Sequence, residues 1–141
     1  MAQYETIYLV DDFEMVNLLH AILLRNLGMG DKVNSFTNPE DALKDLCSKT
    51  RELGPTLILL DINMPEMSGF EFLECMVREE FPQKMDVIIV TSSVSEMDKA
   101  LSRKYPQFVR DFISKPLKIE QLRDIVEPMD QALWKTGPQT H

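Results

Sequence analysis

Basic residues are in short supply. The chain of 141 residues carries 15 lysines and arginines against 23 aspartates and glutamates, a formal charge of −8 at neutral pH. A net negative surface is repelled by phosphate backbones and anionic headgroups, so no nucleic-acid or membrane-surface partner is expected. Long apolar runs are missing too. The longest are blocks such as Leu57–Leu60 and Val87–Val90, far short of the ~18 residues that cross a bilayer. The start, Met-Ala-Gln-Tyr-Glu, lacks the basic and apolar segments of a secretory signal. Only two cysteines occur, Cys47 and Cys75. They form no disulfide framework and no metal-ligand spacing, so free buried thiols in a reducing cytoplasm are expected. There are no repeats, low-complexity stretches or linkers.

What is present suits one globular domain. Apolar residues make up 44% and charged residues 27% of the chain, enough for a real core without disulfides or structural metal. The length allows a single domain, 1–141, with its core over 6–134 and a short tail, 135–141.

Short apolar runs alternate with helical stripes five times. Thr6–Val10 reads as a strand ending in Asp11-Asp12, followed by a helix from Glu14 to Leu27 with Val16, Leu19, Leu23 and Leu27 inward. Gly28-Met29-Gly30 stops it, and Lys32–Phe36 reads as a second strand. Asn38-Pro39-Glu40-Asp41 is a helix start, with Ala42, Leu43 and Leu46 inward. Thr56–Leu60 is apolar throughout, as a strand covered on both faces is. Asp61–Glu66 is a loop, and Ser68 with Glu71 makes a capping box for a third helix striped by Phe70, Leu73 and Val77. Asp86–Val90 is a fourth strand. Ser95 with Asp98 repeats the box pattern for a short helix, and Val109–Ser114 is the last strand. Ile119, Leu122, Ile125, Val126 and Met129 stripe the final helix, which Pro128 should kink. Strands joined by such helices form right-handed crossovers, giving a doubly wound five-stranded parallel sheet in a three-layer α/β/α fold of the flavodoxin-like type.

Polar residues gather at the strand ends. Asp11 and Asp12 follow the first strand, Asp61 the third, Thr91 closes the fourth and Lys115 follows the fifth. In an open parallel sheet these ends line the ligand crevice. Two carboxylates ~4 Å apart repel by roughly 4 kcal/mol at an effective dielectric near 20. Three therefore need counter-charge. Lys115 offsets one, and a divalent ion offsets the other two. Hard oxygen donors select Mg2+, or Mn2+, and leave positions open for phosphate oxygens. A metal, a lysine, a hydroxyl and a free carboxylate make up a phosphoryl-transfer kit.

At these residues the chain resembles the receiver domain of two-component response regulators. The resemblance rests on Tyr8-Leu9-Val10-Asp11-Asp12, Ile58-Leu59-Leu60-Asp61-Ile62-Asn63-Met64-Pro65 with Gly69, Val90-Thr91-Ser92 and Phe112-Ile113-Ser114-Lys115-Pro116, over Ile7 to Leu133. It implies that Asp61 is the phosphoacceptor. It also implies that Asp11, Asp12, Asp61 and the backbone carbonyl of Asn63 hold Mg2+. Lys115 and Thr91 would contact the phosphoryl group, Phe112 would turn inward as Thr91 moves, and the Lys115-Pro116 bond would be cis. The donor would be a sensor histidine kinase or a histidine phosphotransfer protein. The signal would leave through an unidentified downstream protein or by phosphate passing onward. No output module follows in this sequence, so a stand-alone receiver is expected. Its only chemistry would be self-catalysed phosphotransfer and slow autodephosphorylation. Lys104-Tyr105-Pro106-Gln107-Phe108 replaces a Gly-Ala turn common in the family and makes the segment longer.

Rival readings are weaker. A haloacid-dehalogenase-like hydrolase wants a second acid where Asn63 stands, and a flavodoxin-like carrier would find its phosphate repelled by Asp11-Asp12. A receiver-like scaffold that no longer accepts phosphate would not need the intact acceptor and lysine. Asp12 has a plain alternative role as a cap of the first helix. His20 reads as a partly buried helix residue rather than a phosphodonor, and His141 lies in the tail. Met15, Leu18 and Ile22 flank the first helix's stripe, as part of a broad buried face or as a docking patch for the donor.

Overall fold

The computed structural model describes residues 4–127. The strands are β1 (Thr6–Val10), β2 (Val33–Phe36), β3 (Thr56–Leu60), β4 (Met85–Thr91) and β5 (Val109–Ser114). The helices are α1 (Glu14–Asn26), α2 (Pro39–Lys49), α3 (Gly69–Arg78), α4 (Glu96–Ser102) and α5 (Ile119–Val126). All strand pairings are parallel, in the order β2-β1-β3-β4-β5. This is the doubly wound, flavodoxin-like α/β sheet. The chain leaves β1 for one edge and returns to β3 on the other side, so the switch point lies between β1 and β3.

Strand alternation builds two cores. Tyr8, Val10, Ile58 and Leu60 pack with Leu46 of α2 and with Phe72 and Met76 of α3. Ile7, Leu9, Leu57 and Leu59 pack with Leu24 of α1 and with Leu122 and Val126 of α5. All of β3 is buried, which explains its unbroken apolar run.

Local chemistry sets the helix ends. Asn38 accepts from the Glu40 N–H at 2.9 Å, with Pro39 at the first helical position. Ser68 and Glu71 close the full capping box. Gly28 takes φ +79°, with its N–H on the Arg25 carbonyl and that of Met29 on the Leu24 carbonyl. This paired ending needs a residue tolerant of the left-handed region.

Several sequence expectations are corrected. In α1 the buried residues are Asn17, His20 and Leu24, whereas Leu19 is exposed. In α3 they are Gly69, Phe72, Leu73 and Met76, and Val77 is exposed. A Cβ at Gly69 would meet the Asp61 carbonyl at 2.7 Å and Ile62 Cα at 2.8 Å. That close approach sets the rotation of α3. The Asp98 carboxylate accepts from the Ser93 hydroxyl at 3.3 Å, while Ser95 still caps the Asp98 N–H at 3.0 Å. Cys47 is exposed and Cys75 half-buried, not core thiols. Pro128, Met129 and the tail lie outside the described residues.

The segment Lys104–Phe108 is packed rather than looped out. Tyr105 and Phe108 are buried in the core beside α3, and the Tyr105 hydroxyl donates to Glu74 at 2.7 Å. The Val87 N–H donates to the Phe108 carbonyl, and the β4–β5 register shifts between Val87 and Ile88. The longer connection is absorbed by that irregularity.

Candidate functional site

Sheet register brings the acids together. Val10 pairs with Leu60, and the Asp61 N–H donates to the Val10 carbonyl at 3.0 Å. Asp11 and Asp61 therefore leave adjacent strands side by side, both buried. Carboxylate oxygens of Asp11, Asp12 and Asp61 lie within 4.8 Å of one another. On the far side, the Lys115 N–H donates to the Thr91 carbonyl at 2.9 Å, extending the β4–β5 ladder by one rung. The Lys115-Pro116 peptide is cis.

The lysine closes the hollow. Its Nζ donates to Asp11 Oδ2 at 2.7 Å and lies 3.7 Å from Asp61 Oδ2. Asp11 Oδ1 accepts from the Phe13 N–H at 2.9 Å. Asp11 thus has partners on both oxygens. Asp12 Oδ1 and Asp61 Oδ1 are buried without any partner. Burial drives the Asp61 pKa above the ordinary value of 3.8; Lys115 opposes this, Asp11 adds to it, and the Asn63 N–H and Thr91 hydroxyl oppose it.

Thr91 is fully buried at the end of β4. Its hydroxyl oxygen accepts from the Ser93 N–H at 3.2 Å and from the Asn63 side-chain amide at 3.4 Å. The structure thus gathers Asp11, Asp12, Asp61, Asn63, Thr91 and Lys115 at one end of the sheet. Phe112 does not enter the hollow. It is half-buried on β5, paired with Ile89 and packed at the margin of the core.

Asp12 does not cap α1. Phe13 occupies the cap position and no side chain caps the helix. Met15, Leu18 and Ile22 do not form a broad buried face. They are exposed by 69%, 53% and 36%, beside exposed Phe13 and Leu19. Val16, Leu19 and Leu23 line an apolar groove against Pro116 and Leu117, beside the lysine. His20 is buried in the same wall, and burial lowers its pKa to about 4, with Asp11 opposing and Lys115 assisting. It is neutral at physiological pH.

Sequence reasoning missed Asn17. This buried residue donates through Nδ2 to the Asp11 carbonyl at 3.1 Å and to the Phe36 carbonyl at 3.0 Å. It pins the acid pair to the end of β2. A polar residue on the inward side of an apolar helix was the available signal. The Asn63 side chain was missed as well, because only its carbonyl was considered.

The donor set fits a small divalent cation. Buried carboxylate oxygens without partners are costly unless a positive charge faces them. Two such oxygens face the hollow, and the single lysine there already donates to Asp11. Hard oxygens in this number suit Mg2+ or Mn2+ rather than zinc.

Among the described residues no helix is long and apolar enough to cross a membrane. Residues 7–127 match the response regulator receiver domain family. The chain is 31% identical over 142 residues to the "Probable methanogenesis regulatory protein FilR2" of Methanothrix harundinacea, covering 94% of this chain and 86% of that one. It is 30% identical to the "Probable C4-dicarboxylate response regulator DctR" of Halalkalibacterium halodurans, over 83% of this chain and 47% of that one. The chain spans less than half the length of DctR and of several other curated relatives. A solved response regulator receiver protein from Dyadobacter fermentans superposes with a TM-score of 0.75 at 27% identity, over 85% of this chain and 93% of that one. Family match, sheet order and strand-end chemistry converge, and the chain belongs to the response regulator receiver domain family.

Proposed function

We propose that this chain is a cytoplasmic signalling receiver that takes a phosphoryl group from a phosphohistidine onto Asp61. The donor is a sensor histidine kinase or a histidine phosphotransfer protein. One observation carries the reading. Lys115 Nζ lies within 3.7 Å of Asp61 Oδ2 and donates to Asp11, while Asp61 Oδ1 has no partner. That leaves Asp61 with an oxygen that no protein group has claimed, next to a fixed positive charge.

In the transfer, a bond forms between an Asp61 carboxylate oxygen and phosphorus. The phosphorus–nitrogen bond to the donor imidazole breaks, and the imidazole takes up a proton. Asp11, Asp12, Asp61 and the Asn63 carbonyl would hold Mg2+, or Mn2+. When bound, this cation supplies the charge that neutralises the phosphoryl oxygens. Lys115 binds a phosphoryl oxygen. Thr91 donates its hydroxyl to another. Phe112 follows Thr91 inward, and the phosphate biases this two-state packing only through its contacts with Thr91 and Lys115. Hydrolysis of the acyl phosphate is slow self-catalysis, and the chain has no other enzymatic activity. The output is contact with a downstream protein or transfer of the phosphate onward. Met15, Leu18 and Ile22 form the donor-docking patch; their exposure on α1 supports this.

The test is mass spectrometry with peptide mapping after incubation with acetyl phosphate and Mg2+. A single phosphoryl adduct on the Asp61 peptide, absent from Asp61→Asn, is expected. No adduct, or one mapped elsewhere, overturns the proposal.

A further inference from the structure

On the sheet face away from α1, the helices α2 and α3 leave a groove of about 540 Å3. Leu43, Lys44 and Cys47 line it from α2, and Cys75, Arg78 and Glu79 line it from α3. Leu43 and Cys47 stand one turn apart, as do Cys75 and Glu79, so two rows of side chains border the same groove. Both thiols are free. Arg78 Nη2 donates to Cys75 Sγ at 3.1 Å. A guanidinium placed there offsets the negative charge a sulfur carries when it attacks a disulfide. Cys47 is exposed, so a reagent can reach the groove. The two cysteines thus face one groove from its two walls, Cys75 beside a guanidinium and Cys47 not, and these unequal surroundings set an order of reaction.

We propose that Cys47 and Cys75 form a thiol-exchange site, which a small anionic disulfide such as oxidised glutathione converts into a disulfide tethering α2 to α3. Lys44 and Arg78 outnumber Glu79, which lies 3.9 Å from Arg78 Nε, and so favour an anionic reagent. The Cys75 thiolate attacks one sulfur of the reagent, whose disulfide bond breaks and releases one thiol that takes up a proton. The Cys47 thiolate then attacks Cys75 Sγ and expels the second thiol. Two protein thiols are oxidised, and the reagent is reduced to two thiols. The tether would join the helix leading into β3 to the helix that leaves the Asp61 loop.

The test treats the full chain with excess oxidised glutathione, then alkylates it and maps peptides without reduction. The expected product is a monomer in which the Cys47 and Cys75 peptides are linked. Cys47→Ser should instead carry glutathione on Cys75. Arg78→Ala should slow reaction at Cys75 roughly threefold, as befits an exposed charge, with the melting temperature unchanged. Glutathione on each cysteine without a link, linked dimers, or equal linking of the urea-unfolded chain would each overturn the proposal.

Discussion

The side-chain amide of Asn63 donates to the Thr91 hydroxyl across 3.4 Å, joining the loop after β3 to the end of β4. The same oxygen accepts the Ser93 N–H at 3.2 Å. Both acceptor positions of the hydroxyl are thus engaged while its own proton stays available as a donor, so the two bonds restrain where Thr91 can swing. Asn63→Ala removes one restraint and keeps the backbone carbonyl. A marginal bond of this kind contributes about 0.5–1 kcal/mol. The unphosphorylated variant should therefore shift the Thr91 methyl and Phe112 ring resonances part-way toward their phosphorylated positions. Superimposable spectra of variant and parent would show that the amide holds nothing.

Lys115 faces two buried carboxylates, at 2.7 Å from Asp11 and 3.7 Å from Asp61. Lys115→Ala leaves that charge uncompensated. We expect a loss of roughly 1–3 kcal/mol at neutral pH without metal, measured by urea unfolding and largely restored by millimolar Mg2+. Acetyl phosphate should still label Asp61, because the attacking oxygen remains. The Phe112 response to labelling should be lost. A variant that responds like the parent removes Lys115 from the switch.

Asp61 sets a pH dependence of the metal-free protein. Its folded pKa is raised above 3.8, mainly by burial. The folded state therefore holds the proton more tightly than the unfolded chain does. The stability this contributes is complete below the unfolded value and is lost as pH rises through the raised folded value. Asp61→Asn removes the penalty. It should melt a few degrees above the parent at pH 7, with the gap closing as pH falls toward 3.8. Equal melting temperatures across that range would sink this account. His20 acts in the opposite sense. Burial depresses its pKa from 6.5 to about 4, so its contribution is present above 6.5 and lost as pH falls through 4. Comparing the parent and Asp61→Asn, both with His20 intact, cancels it.

Much of this was legible from residue types alone. The unbroken run Thr56–Leu60 announced a strand covered on both faces, and it is entirely buried. Asn38-Pro39 and Ser68 with Glu71 marked helix starts that the structure repeats. The strand-end acids, Thr91 and Lys115 meet because parallel strands place their carboxyl ends together. Helix rotation was not legible. The apolar residues of α1 cover more than half its circumference, so periodicity could not choose a face. The choice falls to Asn17, which serves two backbone carbonyls. Of the α3 stripe, Leu73 and Phe70 reach the core but Val77 does not, because Gly69 packs on the backbone of Asp61 and Ile62, a contact with no periodic signal. Tyr105 and Phe108 show the same limit, since a longer connection does not announce whether it packs or protrudes.

The exposed face of α1 separates docking from chemistry. Met15, Leu18 and Ile22 are solvent-exposed and make none of the polar contacts that build the hollow. A charge placed there costs the fold little, because surface substitutions usually stay within about 0.5 kcal/mol. Desolvating that charge at an interface costs far more. Leu18→Asp and Ile22→Asp should therefore slow transfer from a phosphohistidine protein by tenfold or more, on the order of 1.4 kcal/mol. Labelling by acetyl phosphate, which needs no interface, should keep its rate. Equal slowing with both donors would mean that the substitutions disturb Asp11 through α1. Unchanged rates with both would move the docking surface elsewhere on the molecule.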